Sequence, residues 1–294
     1  MDRKNMIITG GTGFIGRNLI DRLSAEYRCI NLGRNENRRC ENVFWNLCNE
    51  LPYGILSSLP LDCIVHSAAI VGNDNHIHPA DYIEVNVKAT LRLLEFASQN
   101  QVKHFIYIST GSVYGESWRV FTEEDSCSPK DIYSLSKYFS EMICKLYEDS
   151  LNITILRPFF PYGTGQSNRL IPNLIGRISS RQPVHLNENG LPCINPVNIT
   201  DMTGIISETA KRGITGVFNI SGEELLTIRD ICEIIGRKLN VDGIRYVFTQ
   251  NRAQGMVGSN RKICDLLDYK MQVNMNEGLE EMLAHCRKEQ KAEG

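Results

Sequence analysis

The 294-residue sequence predicts an α/β fold, a doubly wound parallel sheet with a smaller α/β carboxyl-terminal lobe. Three observations carry this expectation. Short β-branched runs alternate with longer segments of helical period through the first half of the chain. A glycine-rich stretch, ITGGTGFIG, directly follows the first apolar run. Past Arg157, prolines at 158, 161, 172, 183, 192 and 196 cut the chain into shorter pieces, as in a lobe of loops, brief strands and helices.

The elements follow in order. Strands are expected at residues 6–9, 28–32, 63–66, 105–109 and 153–157. Helices are expected at 14–25, at 82–99, where Val85, Ala89, Leu93, Leu94 and Ala97 share a face, and at 132–151. Farther on, GVFNIS reads as a strand, 227–239 as an amphipathic helix and 276–287 as a closing helix, with the tail KEQKAEG expected to fray. The expected division is 1–160 for the sheet domain and 161–294 for the second lobe, with elements partly interleaved.

With 42% hydrophobic and 22% charged residues the chain can bury a full core, which excludes the disordered class. A net charge of -2 provides no basic field for nucleic acid or anionic membranes. Ten cysteines without Cys-x-x-Cys spacing read as reduced, mostly buried thiols, and MDRKN leads into a strand with no apolar leader; a cytoplasmic soluble protein is expected. His76 and His78 lack an accompanying carboxylate or cysteine cluster, so they read as a polar loop and no metal site is expected.

Strand, glycine turn and helix together are the arrangement in which backbone N–H groups and a helix N-terminus meet a diphosphate. Gly10 would permit the tight turn, Gly13 the approach of the pyrophosphate, and Gly16 the packing of the helix, with Phe14 and Ile15 beside them. A purely structural turn is the alternative. At the tip of the second strand, where a carboxylate would accept both ribose hydroxyls, Gly33 and Arg34 stand instead, with Arg38 and Arg39 close behind. This is either a solvated basic loop or a 2′-phosphate clamp, which favours NADP(H) and leaves NAD(H) possible.

In DIYSLSKYFSE, Tyr133 and Lys137 lie four apart and share a helix face. A phenol of pKa about 10 is a poor base at neutral pH, and a neighbouring ammonium favours its phenolate. By itself the pair also fits an ordinary surface contact. Ser109, Thr110 and Ser112 fall at the carboxyl end of a strand, where parallel sheets place ligands and where such residues also simply cap turns.

TGGTGFIG, VHSAA, VNVKATLRLLE, ISTGSVYG, YSLSK, LRPFFPYGTGQ, NPVNITDM and GVFNISGEE occur in this order along most of the chain. In these motifs it resembles the extended short-chain dehydrogenase/reductase family of nucleotide-sugar epimerases, dehydratases and ketoreductases. The resemblance implies a Rossmann-like dinucleotide-binding domain and a smaller lobe that closes over a sugar nucleotide. It implies Thr110 as the catalytic hydroxyl, Tyr133 as acid/base, and Lys137 as the residue that holds the cofactor ribose and tunes Tyr133. Ser67, Ala68, Ala69 and Ser109 would line the cofactor, and Asn86 would anchor the strand carrying Thr110.

Gly111 and Ser112 stand where dehydratases of the family carry an Asp and a Glu, so elimination of water is not expected. Ser112, Phe160, Arg169 and Asn195 are the candidate substrate residues. Phe160 replaces an Asn that contacts the substrate diphosphate in many relatives, Asn195 falls near the family's usual arginine, and Arg169 would compensate. The expected activity is NADP-dependent reduction of a keto group on a nucleotide-linked, 4-keto-6-deoxy sugar. A nucleotide-sugar 4-epimerase with bound NAD is the alternative, followed by a reductase of hydrophobic ketones and by a dinucleotide-sensing scaffold without catalysis. Relatives often dimerise through two helices per subunit, here 82–99 and 132–151, so a homodimer is expected.

Overall fold

The computed structural model describes residues 3–72, 76–187, 190–250 and 255–292, the side chains of 288–292 excepted; the final residues of the KEQKAEG tail, 293 and 294, lie outside this set. The chain forms two compact units. The first comprises Met1–Gly115, Glu123–Pro158 and Thr203–Phe218, the second Glu116–Thr122, Phe159–Met202 and Asn219–Gly294. Segments of the two therefore alternate along the chain.

The first part of the chain runs β1 (Lys4–Thr9), α1 (Phe14–Leu23), β2 (Tyr27–Gly33), β3 (Glu41–Phe44), α2 (Tyr53–Leu56), β4 (Leu61–His66), α3 (Pro79–Tyr82), a π-helical stretch (Ile83–Lys88), α4 (Ala89–Gln99) and β5 (His104–Ile108). A 3₁₀ turn (Gly111–Tyr114), β6 (Val120–Phe121), α5 (Ile132–Lys145) and β7 (Asn152–Pro158) follow. Next come α6 (Leu170–Ser179), β8 (Val184–Asn187), β9 (Cys193–Ile194), α7 (Ile199–Arg212) and β10 (Gly216–Ile220). The chain closes with β11 (Leu226–Thr227), α8 (Ile228–Leu239), β12 (Tyr246–Thr249), β13 (Val257–Gly258), α9 (Arg261–Leu267) and α10 (Met275–Ala292).

A seven-stranded sheet has the order β10-β7-β5-β4-β1-β2-β3. Strand β1 pairs in parallel with β2 on one side and β4 on the other, so chain direction through the sheet reverses there. Such a switch point opens a crevice at the carboxyl ends of the strands. Covered on both faces, the strands read as continuous apolar runs, and Met6, Ile7 and Ile8 are wholly buried. Ile30, Ile64, Phe105 and Ile153 belong to one core cluster with Leu93 and Leu94 of α4.

In the second unit, Ile171, Leu174 and Ile178 of α6 pack with Ile231 and Ile235 of α8 and Leu279 of α10. Its strands pair in twos: β8 with β12, β9 with β11, and β6 with β13.

Three helices differ from their expected form, the closing helix α10 by running on to Ala292 through most of the tail expected to fray. The segment expected as one helix over 82–99 is α3, a π-helical stretch and α4 in succession. Helix α5 ends at Lys145 rather than at Leu151. The residues beyond it include Glu148 and Asp149, whose charges oppose the negative end of the helix dipole. All ten cysteines are unpaired; four are buried, four half-buried, and Cys48 and Cys286 are exposed.

Candidate active site

The first unit gathers its chemistry at the carboxyl ends of β1, β4 and β5. Gly10 has φ +68, the left-handed region that only glycine adopts freely, and a Cβ there would lie 3.0 Å from the Ala68 backbone. At Gly16 a Cβ would lie 2.3 Å from the Gly10 carbonyl oxygen, so α1 can seat on the turn only through a glycine. Gly13 is the N-cap of α1; it offers no side-chain cap, and the first turn, with Phe14 and Ile15, contains no acid. The free N–H groups of this first helical turn therefore have no carboxylate within the turn to meet them. A dinucleotide diphosphate fits that donor set.

Sequence reasoning gave Gly11 no role, yet a Cβ there would lie 2.6 Å from both Asn31 Oδ1 and Ile20 Cδ1. Its N–H donates to Asn31 Oδ1 at 3.0 Å, and Asn37 Nδ2 donates to its carbonyl at 2.7 Å. At the tip of β2, Arg34 and Arg38 are exposed and make no ion pair among the described residues, whereas Arg39 pairs with Asp21.

The loop after β4 is held by Thr9. Its Oγ1 accepts the N–H groups of Ser67 at 3.1 Å and Ala68 at 3.0 Å, while Ser67 Oγ donates to the Thr9 carbonyl at 2.6 Å. Ala69 is half-buried in the same loop. Having accepted two N–H groups, the Thr9 hydroxyl donates its proton to His66 Nδ1 at 2.7 Å. His66 Nε2 therefore carries the ring proton and donates to Thr90 Oγ1 at 3.1 Å. Burial, and then the neighbouring Lys137, push the His66 pKa down to about 3, so the ring is neutral. His66 sits inside the VHSAA motif but attracted no role on sequence grounds, because only its buried partners reveal one.

Asn86 lies in the π-helical stretch, a distortion that often marks functional positions. The sequence placed it as an anchor of the Thr110 strand and beside the cofactor; the structure corrects the first placement. Its Oδ1 accepts the Ile70 N–H at 2.8 Å, and its Nδ2 donates to the Ile70 carbonyl at 3.1 Å and to Ser136 Oγ at 2.9 Å. Asn86 thus ties the loop after β4 to helix α5, with both amide hydrogens already committed.

Helix α5 is started by Asp131, whose carboxylate accepts the Ser134 N–H at 2.7 Å in a capping box. This fixes the register of Tyr133 and Lys137 one turn apart. Lys137 is 2% exposed, and its Nζ lies 4.2 Å from the centroid of the Tyr107 ring on β5. Burial pushes its pKa down to about 7, opposed by Glu141 and Cys144. Half-buried Tyr133, by contrast, keeps partial access to solvent.

Thr110 caps the 3₁₀ turn: its Oγ1 accepts the Ser112 N–H and donates to Ser112 Oγ, both at 3.2 Å. The proposed catalytic hydroxyl and the capping hydroxyl are thus one group, and its proton rests on an exchangeable partner. Ser109, expected at the cofactor, instead donates its hydroxyl to buried Glu141 at 2.5 Å.

Of the substrate candidates, Ser112 belongs to the first unit, and Phe160, Arg169 and Asn195 to the second. Asn195 is 3% exposed and its amide is consumed internally. Its Nδ2 donates to the carbonyls of Gly222 at 3.0 Å and Gly258 at 2.7 Å, and its Oδ1 accepts the Gly258 N–H at 3.1 Å. With no donor left over, it is a structural tie rather than a substrate contact. Phe160 has φ +44, a strained value for an aromatic residue and an easy one for asparagine. Arg169 is exposed at the N-cap of α6 and forms no ion pair among the described residues. His78, part of the HIH pair, caps α3 by accepting the Ala80 N–H at 3.2 Å.

Among the described residues no cluster of three metal-ligating side chains occurs, and no helix is long and apolar enough to cross a membrane.

The chain is similar in sequence and fold to known proteins. The profile of the NAD dependent epimerase/dehydratase family matches residues 6–221. An uncharacterized UDP-glucose epimerase of Bacillus subtilis is 30% identical over 79% of this chain and 83% of its own. The dTDP-4-dehydro-6-deoxyglucose reductase of Escherichia coli is 25% identical over 97% of this chain and 98% of its own. Among solved structures, UDP-glucose 4-epimerase of Thermotoga maritima with UDP-glucose superposes with a TM-score of 0.88 at 25% identity, over 97% of this chain and 99% of its own.

Proposed function

This chain belongs to the NAD dependent epimerase/dehydratase family, within the extended short-chain dehydrogenases/reductases, and from that premise we propose that it reduces a keto group on a nucleotide-linked sugar, with NADPH. The favoured substrate class is a 4-keto-6-deoxyhexose. The observation that carries the choice is the tip of β2, where exposed Arg34 and Arg38, without an ion pair among the described residues, stand in place of a carboxylate. Two guanidinium groups favour a 2′-phosphate, and NADPH is the form that reductases draw on. The Escherichia coli reductase, matched over nearly its whole length, is in keeping with this.

When bound, the dinucleotide supplies hydride exchange at its nicotinamide ring. The chain's own groups handle everything else. Buried Lys137 holds a positive charge against the cofactor ribose and favours the phenolate of Tyr133. Tyr133 delivers a proton to the carbonyl oxygen as the alcohol forms, and Thr110 releases its bond to Ser112 to orient that oxygen. Gly111 and Ser112 leave no acid pair for elimination, which separates the reading from a dehydratase.

A second reading is a nucleotide-sugar 4-epimerase, favoured by the Bacillus subtilis relative and the Thermotoga maritima structure. It uses the same residues, with Tyr133 first accepting and then returning a proton. Incubation with NADPH or NADH and a panel of keto-sugar nucleotides separates the two. A reductase consumes nicotinamide absorbance in proportion to product, whereas an epimerase interconverts sugars without net cofactor change. Arg34→Asp is expected to weaken NADPH binding more than NADH binding in a titration; equal weakening would remove the clamp.

The proposed assembly is a homodimer through α4 and α5. Phe139 and Met142 of α5 and Leu146 at its C-cap lie exposed, and covering them is the physical incentive. A cytoplasmic location is proposed from the unpaired cysteines.

A further inference from the structure

Helix α5 and strand β7 bury a pair of charges for which the chemistry above has no use. The side chains of Glu141 and Arg157 are 0% and 4% exposed. Arg157 Nη2 donates to Glu141 Oε2 at 2.6 Å and Nε to Oε1 at 3.0 Å, a bidentate fork. Two further bonds leave this fork. Ser109 Oγ donates to Glu141 Oε1 at 2.5 Å, and Arg157 Nη1 donates to Tyr114 Oη at 2.7 Å. Ser109 immediately precedes Thr110, and Tyr114 ends the 3₁₀ turn that Thr110 caps. The loop carrying the catalytic hydroxyl is therefore held at both ends by one ion pair.

Stability alone does not explain the arrangement. Desolvating two charges is costly, and apolar replacement of such a pair is often neutral for the fold. Position and charge explain it better. Tyr133, Lys137 and Glu141 are spaced four apart on α5 and share a face. The groups around Lys137 are His66 from β4, Tyr107 from β5, and Glu141 and Cys144 from its own helix, with Tyr133 one turn before it. His66 is neutral and burial keeps the Cys144 thiol protonated, so Glu141 is the anion in this set.

We propose that Glu141 and Arg157 are positioning residues that fix the Thr110 loop against the helix of Tyr133 and Lys137, and that Glu141 supplies the counter-charge for the Lys137 ammonium. The positioning half rests on the redox reading above; the counter-charge half does not.

The test uses the full chain with Glu141→Gln and Arg157→Met combined, so that no lone charge stays buried. Lys137 is titrated by NMR on carbon-13 lysine, its resonance identified by its loss in Lys137→Arg. The midpoint is expected about one pKa unit lower than in Arg157→Met alone, which lacks the same cation and keeps Glu141, the scale of losing one nearby opposite charge. Turnover is expected to fall by roughly 10- to 100-fold, the scale of a small misplacement, with cofactor affinity little changed. A second variant, Ser109→Ala with Tyr114→Phe, cuts both tethers and keeps both charges. It should lower kcat while leaving the Lys137 titration in place, and it remains informative if the first variant fails to fold.

An equal Lys137 midpoint in Arg157→Met and in the first variant overturns the counter-charge role. Wild-type kcat in the second overturns the positioning role. The titration needs neither substrate nor cofactor, so it stands apart from the redox assays. Loss of turnover in Tyr133→Phe beside full turnover in Ser109→Ala/Tyr114→Phe would keep the redox reading and reject the clamp.

Discussion

Both units bury polar groups, but they use them differently. In the first, His66 is buried as a neutral ring, Lys137 is buried with its pKa pushed down to about 7, and Glu141 and Arg157 are buried as an ion pair. In the second, Asn195 spends its amide on the backbone of Gly222 and Gly258. Asp201 likewise accepts the N–H groups of Gln272 at 2.8 Å and Val273 at 3.0 Å and the Tyr269 hydroxyl at 3.2 Å. Burial of a polar side chain therefore does not mark a site. What distinguishes the proposed site is capacity left over, such as a lysine facing an aromatic ring or a hydroxyl whose proton rests on an exchangeable neighbour.

The contrast can be broken at Asn195. Asn195→Ala orphans backbone groups at Gly222 and Gly258, and is expected to cost about 2–4 kcal/mol in urea unfolding while kcat and KM stay in place. Unchanged stability with a raised KM would return Asn195 to the substrate site.

His66 sharpens the same contrast through pH. Its folded pKa lies below the unfolded value, so the unfolded chain binds the extra proton between about pH 6.5 and pH 3. The stability from the neutral ring is fully present above pH 6.5 and is lost as pH falls through that window. Relative to His66→Gln, wild type should lose roughly 1.4 kcal/mol for each pH unit below about 6. Parallel stability curves for the two proteins would contradict a buried neutral imidazole.

The smallest effect is expected at Phe160. Relief of the left-handed strain, about 1 kcal/mol, offsets the lost burial in Phe160→Asn, so its denaturation midpoint should stay near wild type. Phe160→Val keeps the strain in a β-branched residue and should be clearly less stable. Equal midpoints for both variants would remove the strain argument.

The reach of the sequence follows the same division. The six expected strands and the glycine turn were legible because parallel strands covered on both faces are uninterrupted apolar runs, and because Gly10 and Gly16 are sterically obligatory. Tyr133 and Lys137 were legible through helical spacing. Strand β3 was missed because of its residues ENVF only Val43 is buried, and β9, β11 and β13 because two-residue strands carry no period. Ser109 at the cofactor, Asn195 at the substrate and Asn86 as anchor of the Thr110 strand are readings from residue type, which does not disclose where a hydrogen bond goes. Their partners lie far along the chain, Glu141 for Ser109 and Gly258 for Asn195, and only the fold brings these together.

The most direct measurement of the central claim is turnover of Tyr133→Phe against its cofactor binding, with NADPH and the keto-sugar nucleotide found active with wild type. The expected result is undiminished dinucleotide affinity with a rate lower by at least about 100-fold, the scale of losing a general acid. Comparable turnover in the two proteins would contradict the account.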